Sequence, residues 1–296
     1  MKEILLFLLL SARLAWSAET AAPDLRPFGR LILTNFASAP FPHPSRAQGH
    51  RYDGTNYDAA THYQDSTVAL FIPNGFRAGP QVDFVIHFHG WRNTVAGTLR
   101  QYQLAEQLAA SERNAILIVP EGPHDAPDSA GGKLEDAGGF QRFMAESLAV
   151  LKAGNVLSHD ATTGQIILAG HSGGYQVIAS ILDRGGLSES IREVWLFDAL
   201  YAHSDSFLAW AARDAGRLLN IYTDHGGTRA NSEAMIATLR ATNALLVATN
   251  ETSLNLADLS RYRYVFLHSD QAHNDVVARH HTFQQFLETS CLSRIR

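Results

Sequence analysis

A single cysteine, Cys291, occurs in the 296 residues, so no intrachain disulfide can form and stability has to come from packing. Basic clusters are missing as well. Lysine and arginine total 24 against 29 acidic residues, giving a net charge of -5, a balance without the electrostatic footprint that nucleic acid or an anionic membrane requires. Long apolar runs are absent apart from the first residues, MKEILLFLLLSARLAWSAET, which combine a basic start, an apolar centre and a small-residue exit. That is the pattern of an export signal, with cleavage expected after Ser17 (Ala15 at the minus-three position) or after Ala18. The run is shorter than the ~20 apolar residues a membrane span needs, and Arg13 interrupts it. Residues 1–18 therefore read as a removable signal, residues 19–296 as the mature chain. Its expected location is secreted or periplasmic, with no stable membrane insertion after cleavage.

What is present is a regular rhythm. A hydrophobic content of 46% is enough for one sizeable core. After a first predicted strand, RLILTNF (30–36), the stretch ASAPFPHPSRAQGHRYDGTNYDAATHYQD is rich in turn residues and reads as a long surface excursion. Short β-rich runs then follow at STVALFI, VDFVIHFH, AILIVP, QIILAG, EVWLFDAL, LLNIYT and YVFLH. Between most of them lie helical stripes: Leu99, Tyr102 and Leu108; Phe140, Phe143, Met144, Leu148 and Leu151; Val177, Ile178, Ile181 and Leu182; Met235, Ile236 and Leu239; Val276, Val277, Phe283 and Phe286. Continuous apolar strands alternating with amphipathic helices predict an α/β domain, with a mostly parallel central sheet of about eight strands and helices on both faces. No second-domain boundary and no internal repeat interrupts it.

In such sheets chemistry gathers beyond the carboxyl ends of the strands. The run QIILAG ends at Gly170, Ser172 follows in Gly-His-Ser-Gly-Gly, and a helical stripe begins with Tyr175, the strand, turn and helix context that a G-x-S-x-G motif needs to expose a nucleophilic serine. The N–H of Gly173 then faces whatever Ser172 attacks. At the end of VDFVIHFH, His89-Gly90-Trp91 stands where an oxyanion hole draws its second donor, which nominates the backbone N–H of Trp91 with that of Gly173. His87 and His89 have the spacing of a zinc-binding pair, but no third or fourth ligand of matching geometry is evident. His87 is expected to be a buried, hydrogen-bonded strand residue, and no metal or other cofactor is expected.

A serine nucleophile needs a base, and the base an orienting carboxylate. Of the six histidines after Ser172, His273 lies in the loop SDQAHND directly behind the last predicted strand. His268 falls in or at the end of that strand, and His280 and His281 read as part of the final helix. Two aspartates compete for the carboxylate. Asp198 closes the strand EVWLFDALY and Asp224 ends LLNIYTD. Asp198 is favoured, because a carboxylate inside an apolar run is costly to bury without a partner.

From about Leu31 to Leu287 the chain resembles the α/β-hydrolase superfamily, and HFHGW with GHSGG is similar to secreted esterases such as polyester depolymerases and feruloyl or acetylxylan esterases. The resemblance implies a serine hydrolase acting on a small-molecule or polymeric ester, with Ser172, His273 and Asp198 or Asp224 as triad, in the chain order of that fold. The acid usually follows the second strand after the nucleophile, and in some members the first. A peptidase or amidase would use the same residues, and a non-catalytic binding protein could keep the fold, although none of the expected residues is missing. Residues 201–217 leave room for one helix and no large lid. The loop of residues 119–140 is a candidate groove wall, and its acids Asp125, Asp128, Glu135 and Asp136 match no calcium-loop spacing, so they read as solvated charges.

Overall fold

Runs of β-branched and aromatic residues pair into one nine-stranded sheet in the computed structural model, which describes residues 22–213, 216–253 and 255–295. The expected signal at 1–18 lies outside them. The strands are β1 (Gly29–Asn35), β4 (Thr67–Pro73), β5 (Gln81–Phe88), β6 (Ala115–Pro120), β7 (Thr162–His171), β8 (Ile191–Phe197), β9 (Arg217–Thr223), β10 (Leu246–Asn250) and β11 (Tyr264–Ser269). Their order is β1-β4-β6-β5-β7-β8-β9-β11-β10. Only β1 with β4 and β4 with β6 run antiparallel. All eight predicted runs are strands. The ninth, β10, carries only half-buried residues at the sheet edge, so neither alternation nor a continuous apolar run announced it.

Alternate residues of the central strands feed two cores. Ile166 and Leu168 of β7 join Phe84 and Ile86 on one face, while Ile167 and Ala169 join Val85, Trp195 and Phe197 on the other. Burial on both sides is why these strands read as unbroken apolar runs. Truncating one such side chain, as in Ile167→Ala, removes about 2–5 kcal/mol.

The predicted stripe from Leu99 to Leu108 is broken into two helices, Val95–Tyr102 and Leu104–Ala110, because Gln103 takes a left-handed conformation at φ 48°. His280 and His281 precede rather than join the last helix, Thr282–Glu288, and both have positive φ. The excursion after β1 is more ordered than its composition suggested. It forms a hairpin, β2 (His50–Tyr52) and β3 (Thr55–Tyr57), around Asp53-Gly54, both left-handed, a turn suited to the strand twist. It also buries Phe41, Tyr57 and Tyr63 in a small core with Ala126 and Ala130.

From β5 the chain crosses to β6 on one side and then returns to β7 on the other. The carboxyl ends of β5 and β7 therefore flank the point where strand order reverses, the crevice in which open α/β sheets bind ligands. Phe88 of β5 lies in register with Gly170 of β7, and His171 with Phe197 of β8. Residues just past these positions are neighbours.

Candidate active site

Ser172 occupies the sharp corner between β7 and a short helix, Tyr175–Ser180. Its φ is 53°, a left-handed conformation that costs a non-glycine residue roughly 1–2 kcal/mol. The corner persists because its surroundings are packed. A side chain on Gly174 would place its Cβ 2.7 Å from the Phe88 carbonyl oxygen, and one on Gly90 would come within 2.6 Å of Ser172 Cβ and 3.2 Å of its Oγ. The His89-Gly90-Trp91 turn thus lies directly against the serine. Gly90→Ala is expected to displace Ser172 or the turn and to lower kcat by about 100-fold, as an ångström-scale misplacement does, with little change in far-UV circular dichroism.

The conformation of that turn is set by His89. Gly122 N–H donates to His89 Nε2 at 2.9 Å, so the proton sits on Nδ1, which donates to the Gly90 carbonyl at 2.8 Å. Both ring nitrogens are occupied by backbone, and the His87–His89 pair cannot act as a zinc clamp. His87, in turn, is fully buried but neither of its ring nitrogens has a hydrogen-bond partner, unlike the hydrogen-bonded residue expected. Its ring lies among those of Tyr102 and Phe283 instead.

Two histidines and one aspartate form a connected group that begins at the residue before the serine. His273, in the loop after β11, has Nδ1 2.7 Å from Asp198 Oδ2. A carboxylate can only accept, so Nδ1 carries the proton and Nε2 keeps its lone pair. His171, the residue before Ser172, donates from Nε2 to the His273 carbonyl at 2.9 Å and accepts from the Tyr102 hydroxyl on Nδ1 at 2.8 Å. The two imidazole rings lie 4.6 Å apart. The His273 loop is thereby tied to the residue next to the serine.

Asp198 follows β8, is fully buried and has φ 48°. Burial works against its ionisation, but hydrogen bonds from His273, Thr228 and Thr223 outweigh this and hold its carboxyl below the usual range. Thr223 supplies its hydroxyl at 2.7 Å and its N–H at 3.3 Å, and the Thr228 hydroxyl donates to Oδ1. Asp224, the other candidate, turns outward. It is exposed, pairs with His268 Nε2 at 2.9 Å and with Arg229, and does not meet His273. The two threonines are the residues that sequence reasoning missed here, and their only signal is that they flank the turn Asp224-His225-Gly226-Gly227.

An open cleft of about 430 Å³ adjoins the serine, lined by Trp91, Ser129, Ser172, Gly173, Tyr175 and Tyr201. Tyr201 lies beside the Ser172 hydroxyl, and burial, together with the Asp198 charge, pushes its phenol up to about 12; its one proton is donated to the Gly226 carbonyl, so towards Ser172 its oxygen is an acceptor. Trp91, 43% exposed, packs against Tyr52 and donates its indole N–H to Ser129 Oγ at 2.8 Å. Ser129 belongs to the loop behind β6, which is therefore a wall of the cleft. That loop is pinned: Asp128 is buried in a two-pronged pair with Arg46, 2.6 and 2.9 Å, and accepts from Tyr63. It is not the solvated charge expected, because the excursion after β1 folds over it. Asp125 and Asp136 are exposed. Residues 201–213 supply one helix, Ser204–Ala211, and no large lid is inserted there among the described residues.

The buried histidines make stability sensitive to acid. Burial lowers His171 to about 3 and His87 well below the histidine range. Below about pH 6.5 the unfolded chain binds protons that the folded chain refuses. Stability is therefore expected to fall as pH drops from about 6.5 towards 3, by up to ~1.4 kcal/mol per pH unit for each histidine. His87→Leu, which also removes two unpartnered nitrogens, should raise Tm more at pH 5 than at pH 8 in calorimetry. An equal shift at both values would contradict the assignment.

No family model matches the sequence, and no curated protein does. Solved structures do. The fluorophosphonate-binding serine hydrolase F of Staphylococcus aureus superposes with a TM-score of 0.51 at 12% identity, over 88% of this chain and 99% of its own. A feruloyl esterase module from Clostridium thermocellum, complexed with sinapinate, gives 0.54 at 12% identity, over 90% and 92%. The S-formylglutathione hydrolase of Staphylococcus aureus gives 0.52 at 10%, over 88% and 99%. The chain has the α/β-hydrolase fold.

Proposed function

We propose that the protein is a serine hydrolase that cleaves carboxylic esters through an acyl-enzyme. The observation that carries this reading is the 2.7 Å contact of His273 Nδ1 with buried Asp198, on the rim where half-buried Ser172 stands on a left-handed corner. With Nδ1 committed to Asp198, His273 Nε2 is free to take the Ser172 proton as the hydroxyl oxygen attacks the ester carbonyl. The same nitrogen then returns the proton to the leaving alcohol. Water repeats the sequence on the acyl-enzyme and releases the acid.

The negative oxygen of each tetrahedral intermediate needs donors fixed in advance. The N–H groups of Gly173 and Trp91 fit that role. The Gly90 carbonyl is held by His89, and in a trans peptide the following N–H, that of Trp91, points the opposite way. Among the described residues no large lid stands over the cleft beside Ser172, which suits polymeric as well as small esters. The resemblance to esterases in fold supports the ester reading over the amide one.

A panel of short-chain p-nitrophenyl esters and matched p-nitroanilides tests this directly. Ester turnover at least about 100-fold above amide turnover is expected, with stoichiometric labelling by a fluorophosphonate probe. Wild-type protein that neither hydrolyses any ester nor takes the label would overturn the reading.

A further inference from the structure

Behind the His89-Gly90-Trp91 turn lies a second cluster that the hydrolytic reading does not use. Asp65 precedes β4, and Glu121 and His124 follow β6. Asp65 Oδ2, Glu121 Oε1 and His124 Nδ1 all lie within 4.8 Å of one another. The strands Thr67–Pro73 and Ala115–Pro120 are sheet neighbours, and hydrogen bonds from His124 N–H to the His62 carbonyl and from His62 to the His124 carbonyl strap the two segments together.

Each carboxylate is anchored by one oxygen and presents the other. Asp65 Oδ1 accepts from Thr67 N–H at 2.8 Å, and Glu121 Oε2 from Val95 N–H at 2.8 Å. The second oxygens face His124 Nδ1 at 3.5 and 3.6 Å. Glu121 is 2% exposed, and its Oε1 has no hydrogen-bond partner, nor has His124 Nδ1. A proton on Nδ1 is too far from either oxygen to make a normal hydrogen bond, yet leaving a buried carboxylate oxygen unpaired is costly. His89 does not relieve it, since its Nε2 accepts from Gly122.

We propose that Asp65, Glu121 and His124 form a zinc-binding site. Bonds of 2.0–2.2 Å in a tetrahedron set its ligands roughly 3.3–3.6 Å apart, the spacing found between His124 Nδ1 and the two oxygens. One imidazole and two carboxylates are donors that zinc accepts. The side chains of Asp65 and His124 are about one-third exposed, and a water or a small anion would complete the tetrahedral shell. The bound ion ties the segment before β4 to the loop behind β6, and through Glu121 to the turn beside Ser172. The exposed group Asp224, His268 and Asp270 has similar composition, but Asp224 and His268 are already bonded to each other.

Chelator-stripped protein should bind one equivalent of Zn2+ in isothermal titration. Co2+ should give the intense visible band of a tetrahedral site. His124→Gln and Asp65→Asn, both at partly exposed positions, should each weaken Zn2+ binding at least tenfold and remove the band, with unchanged far-UV circular dichroism. Asp224→Asn should leave both signals intact. Absence of stoichiometric binding, binding undiminished in both ligand variants, or preference for Ca2+ over Zn2+ would overturn the proposal. None of these readouts depends on ester hydrolysis.

Discussion

Ser172→Ala is expected to lower kcat towards a p-nitrophenyl ester by about 10⁴- to 10⁶-fold and to abolish fluorophosphonate labelling, while leaving Tm within a few degrees. In the proposed reaction the substitution removes the atom that forms the covalent intermediate and leaves the proposed oxyanion donors and the cleft to supply the residual rate. Stability should change little, since the corner is held by its neighbours, Gly174 against Phe88 and Gly90 against Ser172, rather than by the hydroxyl. Alanine pays the same left-handed backbone cost as serine. Steady-state kinetics with labelling on the same preparation checks both halves. Turnover retained within tenfold would remove Ser172 from the reaction.

The second large effect is at the carboxylate. Asp198→Asn should reduce kcat by about 10⁴-fold, whereas Asp224→Asn should leave it within twofold. Asparagine is nearly isosteric, but its amide group can donate to His273 Nδ1. That favours the tautomer with the proton on Nε2, which cannot accept the serine proton. The buried Asp198 carboxylate also contributes to stability. Its folded pKa is depressed, so the contribution is present above the ordinary carboxylate range and is lost as pH falls through the folded value. Wild type and Asp198→Asn should therefore approach each other in stability as the solution is acidified. Comparable kcat losses in the two variants would argue against the distinction between a buried acid and the exposed Asp224–His268 pair.

The elements that sequence reasoning reads well are those whose signal is local. QIILAG followed by a helical stripe specifies a buried strand, a tight corner and a helix, and Ser172 lies on that corner. For the carboxylate, local context gives only a preference for Asp198, an acid inside an apolar run; the hydrogen bond from His273 to Asp198 comes from packing. Other readings failed where neighbours came from far along the chain. Asp128 looked solvated among turn residues, but Arg46, 82 residues earlier, buries against it. His87 looked like a residue with partners, but the face of the strand it occupies is packed with aromatic rings. The zinc ligands proposed here, Asp65, Glu121 and His124, share no motif, so sequence reasoning, which weighed the His87–His89 pair, had no signal for them.

By itself the sequence determined that this protein has one two-sided core under a mostly parallel sheet, no disulfide, and a serine on a strand-to-helix corner. These follow from residue periodicity and from the few residue types that tolerate a sharp turn, properties carried by adjacent positions. Only the tertiary structure decided which aspartate meets His273, which tautomer His89 adopts, and that Asp65 faces Glu121 and His124. Those outcomes depend on strand order and register, because a side chain's charge and hydrogen bonds respond to the groups that packing brings within a few ångströms, however distant they are along the chain.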